Sequence, residues 1–222
     1  MTGQPADRGT EEASPAPGGD RLVRTGATCG VAVPVVFVAG VAVADLLWVG
    51  YSHRVQNLSD LGGVTAQHPA AANLTFLATG LLIVGFAAAL ARARRPGAPA
   101  ALIAAFGLTL TALPVFPCHP GCDRPVYSDS AHVLLAVGGL VLFIVAMFLL
   151  ARRAPTRAAA RYALLTGVGM AASMVLWLVA AEVDPDAWHQ GVWQRILVGL
   201  ALLWVGVTGW RLRRDTRAPG LR

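Results

Sequence analysis

The sequence predicts an all-α polytopic membrane protein, a bundle of six transmembrane helices with both termini in the cytoplasm. Of its 222 residues, 55% are hydrophobic and only 14% are charged. The mean hydropathy is +0.58, so the composition is far more apolar than that of a soluble domain. The apolar runs leave room for six spans of about 20 residues each. A six-helix membrane bundle is therefore the predicted fold class.

Charges, proline or glycine bound each apolar run and give the predicted spans. These cover residues 27–50, 72–91, 98–116, 131–151, 161–181 and 193–211. We predict one membrane domain over residues 27–212, preceded by a disordered cytoplasmic tail over 1–26 and followed by a basic cytoplasmic tail over 213–222. The first run is too long for a cleaved signal peptide, so we expect it to be retained as a helix.

The basic residues set the predicted orientation. All eighteen are arginine, and only Arg54, Arg124 and Arg195 fall on one side of the predicted spans. All the remaining arginines fall on the other side, which the positive-inside rule assigns to the cytoplasm. The side with Arg54, Arg124 and Arg195 is therefore the outer side, and we expect the protein to lie in the cell membrane. Topology thus accounts for the net charge of +6, and no nucleic-acid partner is predicted. The absence of lysine excludes a Schiff-base lysine.

Asp45 is the carboxylate placed deepest inside a predicted span. A charged group at such a depth normally faces a partner or a water-filled cavity. Arg54, Arg195 and His132 are its candidate partners. A protonated Asp45 that makes an interhelical hydrogen bond is the alternative.

The segment after the first span contains Asn57, Ser59 and Asp60, and Asn73 follows at the start of the second span. Such residues commonly form a capped turn. They also offer amide, hydroxyl and carboxylate groups to a lipid headgroup or a metal ion. The sequence leaves both interpretations open.

Cys118 and Cys122 flank His119-Pro120-Gly121 in a predicted outer loop. A Pro-Gly turn favours a disulfide between them in an oxidising compartment. Zinc bound by both cysteines and one or two histidines is the second interpretation. Cys29 is expected to be an ordinary buried thiol.

Two further pairs of polar residues lie at the predicted outer ends of spans. Asp129 and His132 are three residues apart at a helix start, so they share a face. Gln194 and Arg195 open the sixth span, where the arginine would bind a lipid phosphate or snorkel to the interface. Recognised enzyme signatures are missing from the sequence.

Several short motifs resemble one known bacterial membrane family, domain of unknown function 998. They are Asn57-Leu58-Ser59-Asp60-Leu61-Gly62, Pro69, Asn73, Phe116-Pro117, His132, Gly191 and Gln194-Arg195. The resemblance covers about residues 27–212, and it implies an aspartate where this chain has His119. That family is similar to six-helix proteins of the DRAM and Frag type, which implies a link to lipid handling or membrane trafficking.

The leading functional hypothesis is a protein that binds a lipid headgroup or small amphiphile in an outer-leaflet polar pocket, with membrane lipids as partners and no cofactor. Its candidate residues are Asp45, Asn57, Ser59, Asp60, Asn73, His132, Gln194 and Arg195. The alternative is a metal-dependent membrane hydrolase, with zinc held by residues from the set Asp45, Asp60, His119, His132 and Glu182. A structural partner in a membrane complex is the third hypothesis.

Overall fold

A computed structural model of the protein describes residues 17–94, 97–122, 124–184 and 189–216. Within these ranges the chain forms six long helices and no strand. All six are long and apolar enough to cross a membrane. The predicted fold class and the number of spans are confirmed.

The helices begin and end within a few residues of the predicted spans, except at the N-terminus. Their bounds are α1 Pro17–Leu46, α2 Pro69–Arg94, α3 Ala98–Ala112, α4 Tyr127–Arg153, α5 Arg157–Val183 and α6 Gln190–Asp215. Short 3-10 helices cover Leu58–Gly62, Leu113–Val115 and Pro120–Cys122. The helix α5 has an N-cap at Thr156, whose hydroxyl accepts the Ala159 N–H at 3.2 Å.

The helix α1 starts at Pro17, ten residues before the predicted span. Residues 17–26 are therefore helical and not part of a disordered tail, while residues 1–16 of the predicted tail lie outside the described residues. Packing accounts for the extension, because Val23 and Ala27 form a small buried cluster with Ala89 and Leu212. Of the predicted C-terminal tail, 213–215 continue α6, and 217–222 lie outside the described residues.

The six helices form a closed ring. Each helix packs against its neighbours in sequence, and α6 packs against α1. Aromatic side chains fill the centre: the Trp204 ring lies 6.2 Å from Phe86 and 5.9 Å from Phe143, between centroids. Large apolar side chains such as Leu134 and Leu165 are exposed on the outside, as expected for a surface that faces lipid.

The ring has two chemically different ends. The ends of α1, α3 and α5 and the starts of α2, α4 and α6 form the histidine end, which carries His53, His68, His119, His132 and His189. The opposite ends form the arginine end. At the histidine end the connections are joined by backbone hydrogen bonds, from the Val64 N–H to Cys118 and from the Gly191 N–H to Arg54.

Candidate functional site

The 3-10 helix Leu58–Gly62 lies across the histidine end and is anchored from several sides. The backbone N–H of Asn57 donates to Asp60 Oδ2 at 2.8 Å, which closes a capping box. The Asn57 side chain accepts a hydrogen bond from Trp177 Nε1 at 2.9 Å. The backbone N–H of Leu58 donates to the side chain of Gln194. Helices α5 and α6 therefore fix this segment at the centre of the ring.

Arg195 holds the preceding loop against α6. Its Nη1 donates to the carbonyls of His53 at 2.9 Å, Gln56 at 2.9 Å and Gly191 at 2.8 Å. Its Nη2 donates to the Tyr51 hydroxyl, and the guanidinium lies 5.4 Å from the Tyr51 ring centroid. The predicted phosphate-binding arginine thus uses these donors inside the protein.

Burial shifts the pKa values of two acidic groups beside this segment, Tyr51 and Asp60. Desolvation raises the pKa of Tyr51 to about 12, and the nearby Arg195 opposes part of that rise. Burial also raises the pKa of Asp60 above its ordinary value, against the lowering effects of the Asn57 N–H and of Arg195. The Asp60 Oδ1 atom is buried and has no hydrogen-bond partner among the described residues. A buried acceptor of this kind is costly when ionised.

Beneath the 3-10 helix lies a cavity inside the ring. Eleven of its fourteen lining residues are apolar, and the polar ones are Ser59, Thr109 and Gln194. The lining comes from the 3-10 helices Leu58–Gly62 and Leu113–Val115 and from every α-helix except α5. It comprises Phe37, Leu58, Ser59, Phe76, Phe106, Thr109, Leu110, Leu113, Leu135, Ala136, Leu140, Gln194, Val198 and Leu202. The cavity volume is about 60 Å³.

The polar lining groups differ in what they already bind. The hydroxyl of Thr109 donates to the Phe106 carbonyl at 2.8 Å. Gln194 accepts from Leu58. The half-buried Ser59 makes no side-chain hydrogen bond to a described residue. Ser59 therefore offers the cavity an unused donor and acceptor.

Of the eight predicted ligand-binding residues, only Ser59 and Gln194 line this cavity. Asp45 is in the last turn of α1, and its carboxylate lies 3.3 Å from His53 Nε2. None of the three expected partners contacts it, because α1 ends at Leu46 and the chain folds back to bring His53 near. Asn73 donates to the Gly62 carbonyl at 3.2 Å, which ties α2 to the 3-10 helix.

A second cluster surrounds the start of α4. The fully buried Asp129 accepts from the His119 backbone at 3.3 Å, and its Oδ1 lies 3.1 Å from His119 Nδ1. His132 Nδ1 lies 2.7 Å from the Phe116 carbonyl, to which it donates, since a carbonyl only accepts. The sulfur atoms of Cys118 and Cys122 lie at disulfide distance.

The five predicted ligands of the hydrolase hypothesis are not brought together. Asp45 pairs with His53, His119 pairs with Asp129, and Glu182 is exposed. Within the described parts of the chain, one group of three has suitable spacing for a metal ion: Cys118, Cys122 and His132.

Sequence reasoning missed two contributors to this end of the ring. Trp177 is buried within α5, yet its indole N–H reaches Asn57. A buried tryptophan normally finds a partner for that group, so its position near the end of an apolar run was the available signal. Tyr51 directly follows the first predicted span, and its hydroxyl donates to the Asn57 carbonyl at 2.8 Å.

Comparison with known families places these motifs in context. The family model described as "Protein of unknown function (DUF998)" matches residues 31–211, well over half of the chain. The chain belongs to the DUF998 family. The resemblance drawn from the sequence is thereby confirmed, and six apolar helices fit a multi-pass membrane protein.

The motif residues of the DUF998 resemblance gather at the histidine end. Asn57, Ser59 and Asp60 form the 3-10 segment, and Gln194 and Arg195 hold it and its preceding loop. No curated protein and no solved structure matches the chain. The similarity to DRAM and Frag proteins stays a prediction.

Proposed function

We propose that this DUF998 protein lies in the cell membrane and binds a slender amphiphile, or one chain of a membrane lipid, in the cavity beneath the 3-10 helix. The observation that carries the proposal is the composition of the cavity wall. Its lining is apolar apart from Thr109, which is already hydrogen-bonded, and the pair Ser59 and Gln194 at the histidine end. An apolar chain with a hydrogen-bonding head matches that arrangement. Sensing, transfer or transport of the amphiphile would follow from such binding.

The size of the cavity limits the ligand. A water molecule needs roughly 10–15 Å³ of cavity volume. The cavity volume of about 60 Å³ therefore holds a few groups the size of a water molecule. A single alkyl segment fits this description, whereas a bulky ring system does not. The protein therefore selects a narrow chain.

The preference of a ligand for the cavity over the bilayer must come from sources other than the hydrophobic effect. Lipid tails are as apolar as leucine, so an alkyl chain that moves from the bilayer into the cavity gains little hydrophobic free energy. Packing and hydrogen bonds supply the difference. The unused hydroxyl of Ser59 is the group best placed to bind the head of the ligand.

We also infer that both termini lie in the cytoplasm, with the histidine end and its cavity facing outward. Arginines of the described helices cluster at the arginine end, as in Arg152, Arg153 and Arg157. A C-terminal fusion tests this orientation: a fluorescent protein that folds only in the cytoplasm should fluoresce, and a phosphatase active only outside should be inactive. The reverse pattern would contradict the orientation.

Native mass spectrometry of the detergent-purified protein tests the binding. Leu110→Trp fills the cavity wall, whereas Leu108→Trp adds the same bulk to an exposed position on the same helix. We expect co-purifying lipid to be lost from the Leu110 variant and retained by the Leu108 variant. Equal lipid in two well-folded variants would overturn the proposal.

The polar end is tested separately. Ser59→Ala should weaken binding by roughly twofold to tenfold, the equivalent of one hydrogen bond of about 0.5–1.5 kcal/mol. Ser130→Ala, at an exposed serine of α4, is the matched control. If Ser59→Ala binds like the control, Ser59 does not contact the ligand.

A further inference from the structure

The side chains of Cys118, Cys122 and His132 converge at the start of α4. One donor atom from each, two sulfurs and a ring nitrogen, lie within 4.8 Å of one another. The two sulfurs lie at disulfide distance, closer than the roughly 3.7 Å between two sulfurs on one tetrahedral zinc ion with Zn–S bonds of about 2.3 Å. Reduction of the bond lets the sulfurs move apart, and the three donor atoms are then placed to share one ion.

The tautomer of His132 points to a ligand. Its Nδ1 donates to the Phe116 carbonyl, so Nε2 carries the free lone pair. His132 is only 4% exposed, and Nε2 has no hydrogen-bond partner among the described residues. Metal-binding histidines almost always donate their other ring N–H to a carbonyl or carboxylate, which fixes the ring for coordination.

The surroundings favour a divalent ion. Cys118 is 1% exposed, so charges at this site are poorly solvated. Two thiolates and one Zn²⁺ sum to zero charge, which avoids an uncompensated buried charge. Sulfur and imidazole donors are those that zinc prefers, and three protein ligands leave the fourth tetrahedral position for water or an outside ligand.

We propose that Cys118, Cys122 and His132 form a zinc site when the two cysteines are reduced, and that a disulfide replaces the site when they are oxidised. A thiol-class reductant supplies two electrons and two protons to the Cys118–Cys122 bond and is itself oxidised to a disulfide. Zn²⁺ then binds the two sulfurs and His132 Nε2, and the two thiol protons are released to solvent. A disulfide-class oxidant reverses the sequence: it takes two electrons from the zinc-bound thiolates and two protons from solvent and is reduced to thiols, the Cys118–Cys122 bond re-forms, and Zn²⁺ is released.

The test uses the full chain in detergent, in a Cys29→Ala background that leaves two cysteines. The protein is reduced with a phosphine under nitrogen, loaded with Zn²⁺ or Co²⁺ and desalted. We expect one zinc per chain by elemental mass spectrometry in the reduced protein and none in the oxidised protein. The cobalt form should show thiolate charge-transfer absorption and the strong visible bands of tetrahedral Co²⁺.

Variants assign the ligands. Cys122→Ser and His132→Gln should each weaken zinc binding by more than about 100-fold, since changes to outer groups alone cost 10–100-fold. His68→Ala, at an exposed histidine of the same end, should bind as the parent does. Helical circular dichroism establishes that each variant is folded. A folded, reduced parent that binds no zinc, or a His132→Gln variant that binds as tightly as the parent, would overturn the proposal.

Discussion

The backbone N–H of Leu58 donates to the side-chain oxygen of Gln194 at 2.5 Å, across 136 positions of the chain. Both residues are buried, and both line the cavity. The segment that covers the cavity is thus tied directly to one of its walls. A change at either residue should affect both the stability of this end and the shape of the proposed binding site.

Gln194→Ala should destabilise the protein by about 1–3 kcal/mol, because it leaves the buried Leu58 N–H without an acceptor. Thermal unfolding in detergent, followed by circular dichroism, measures the loss. Gln190→Ala changes the same residue type in the first turn of the same helix and should have little effect. Equal unfolding temperatures for the two variants would argue against the anchoring role.

Arg195→Lys should cost about 1.5–3 kcal/mol although it keeps the charge. One ammonium group cannot reproduce the guanidinium contacts with three carbonyls and the Tyr51 hydroxyl. Arg54 is exposed and provides the matched control. Arg54→Lys should unfold at the same temperature as the parent. Thermal unfolding in detergent also measures this loss. An Arg195→Lys variant as stable as the parent would contradict the role of Arg195 in holding the loop against α6.

The titration of Asp60 should make the stability of the protein depend on pH in a defined direction. Burial raises its folded-state pKa above the ordinary 3.8, so the folded state holds its proton more tightly than the unfolded state. Its contribution to stability is therefore fully present below pH 3.8 and is lost as pH rises through the folded-state pKa. Asp60→Asn does not titrate at this position.

The difference in unfolding free energy, parent minus Asp60→Asn, isolates that contribution from other titrating groups. We expect this difference to fall as pH rises from 3.8. A difference that grows with pH would mean that the folded protein prefers the ionised carboxylate.

Gly209 sets the distance between α6 and α1. A methyl group built on it would lie 2.9 Å from the Ala27 carbonyl oxygen and 3.0 Å from the Gly30 Cα. These are backbone atoms, so Gly209→Ala should push the helices apart and cost about 1–3 kcal/mol. Gly199 lies on the same helix with open space around it, and Gly199→Ala should be neutral or stabilising. Equal stability of the two variants would show that α1 and α6 tolerate a wider spacing.

The fold was largely predictable because span formation depends on composition. Each of the six apolar runs forms a helix, and at the start of α1 the packing of Val23 extends the helix beyond the predicted span. Hydropathy does not register such contacts. The start of α1 was therefore the largest error.

The site was only partly predictable because its contacts depend on where the chain folds back. Asn57, Asp60 and Gln194 were singled out as polar groups, and they lie together at the 3-10 helix. The pairing of Asp45 with His53 requires α1 to end at Leu46, which no local signal fixed. The cavity is also invisible in the sequence, since its wall consists of residues that equally suit a filled core.

Photo-crosslinking with a single-chain lipid that carries a diazirine near the end of its tail tests whether the lipid binds inside the ring. Proteolysis and mass spectrometry then identify the labelled residues. We expect labels on cavity residues such as Leu110 and Val198, and we expect these labels to be lost on competition with unlabelled lipid. Labels confined to the exposed outer surface, at positions such as Leu108 and Leu203, would contradict binding inside the ring.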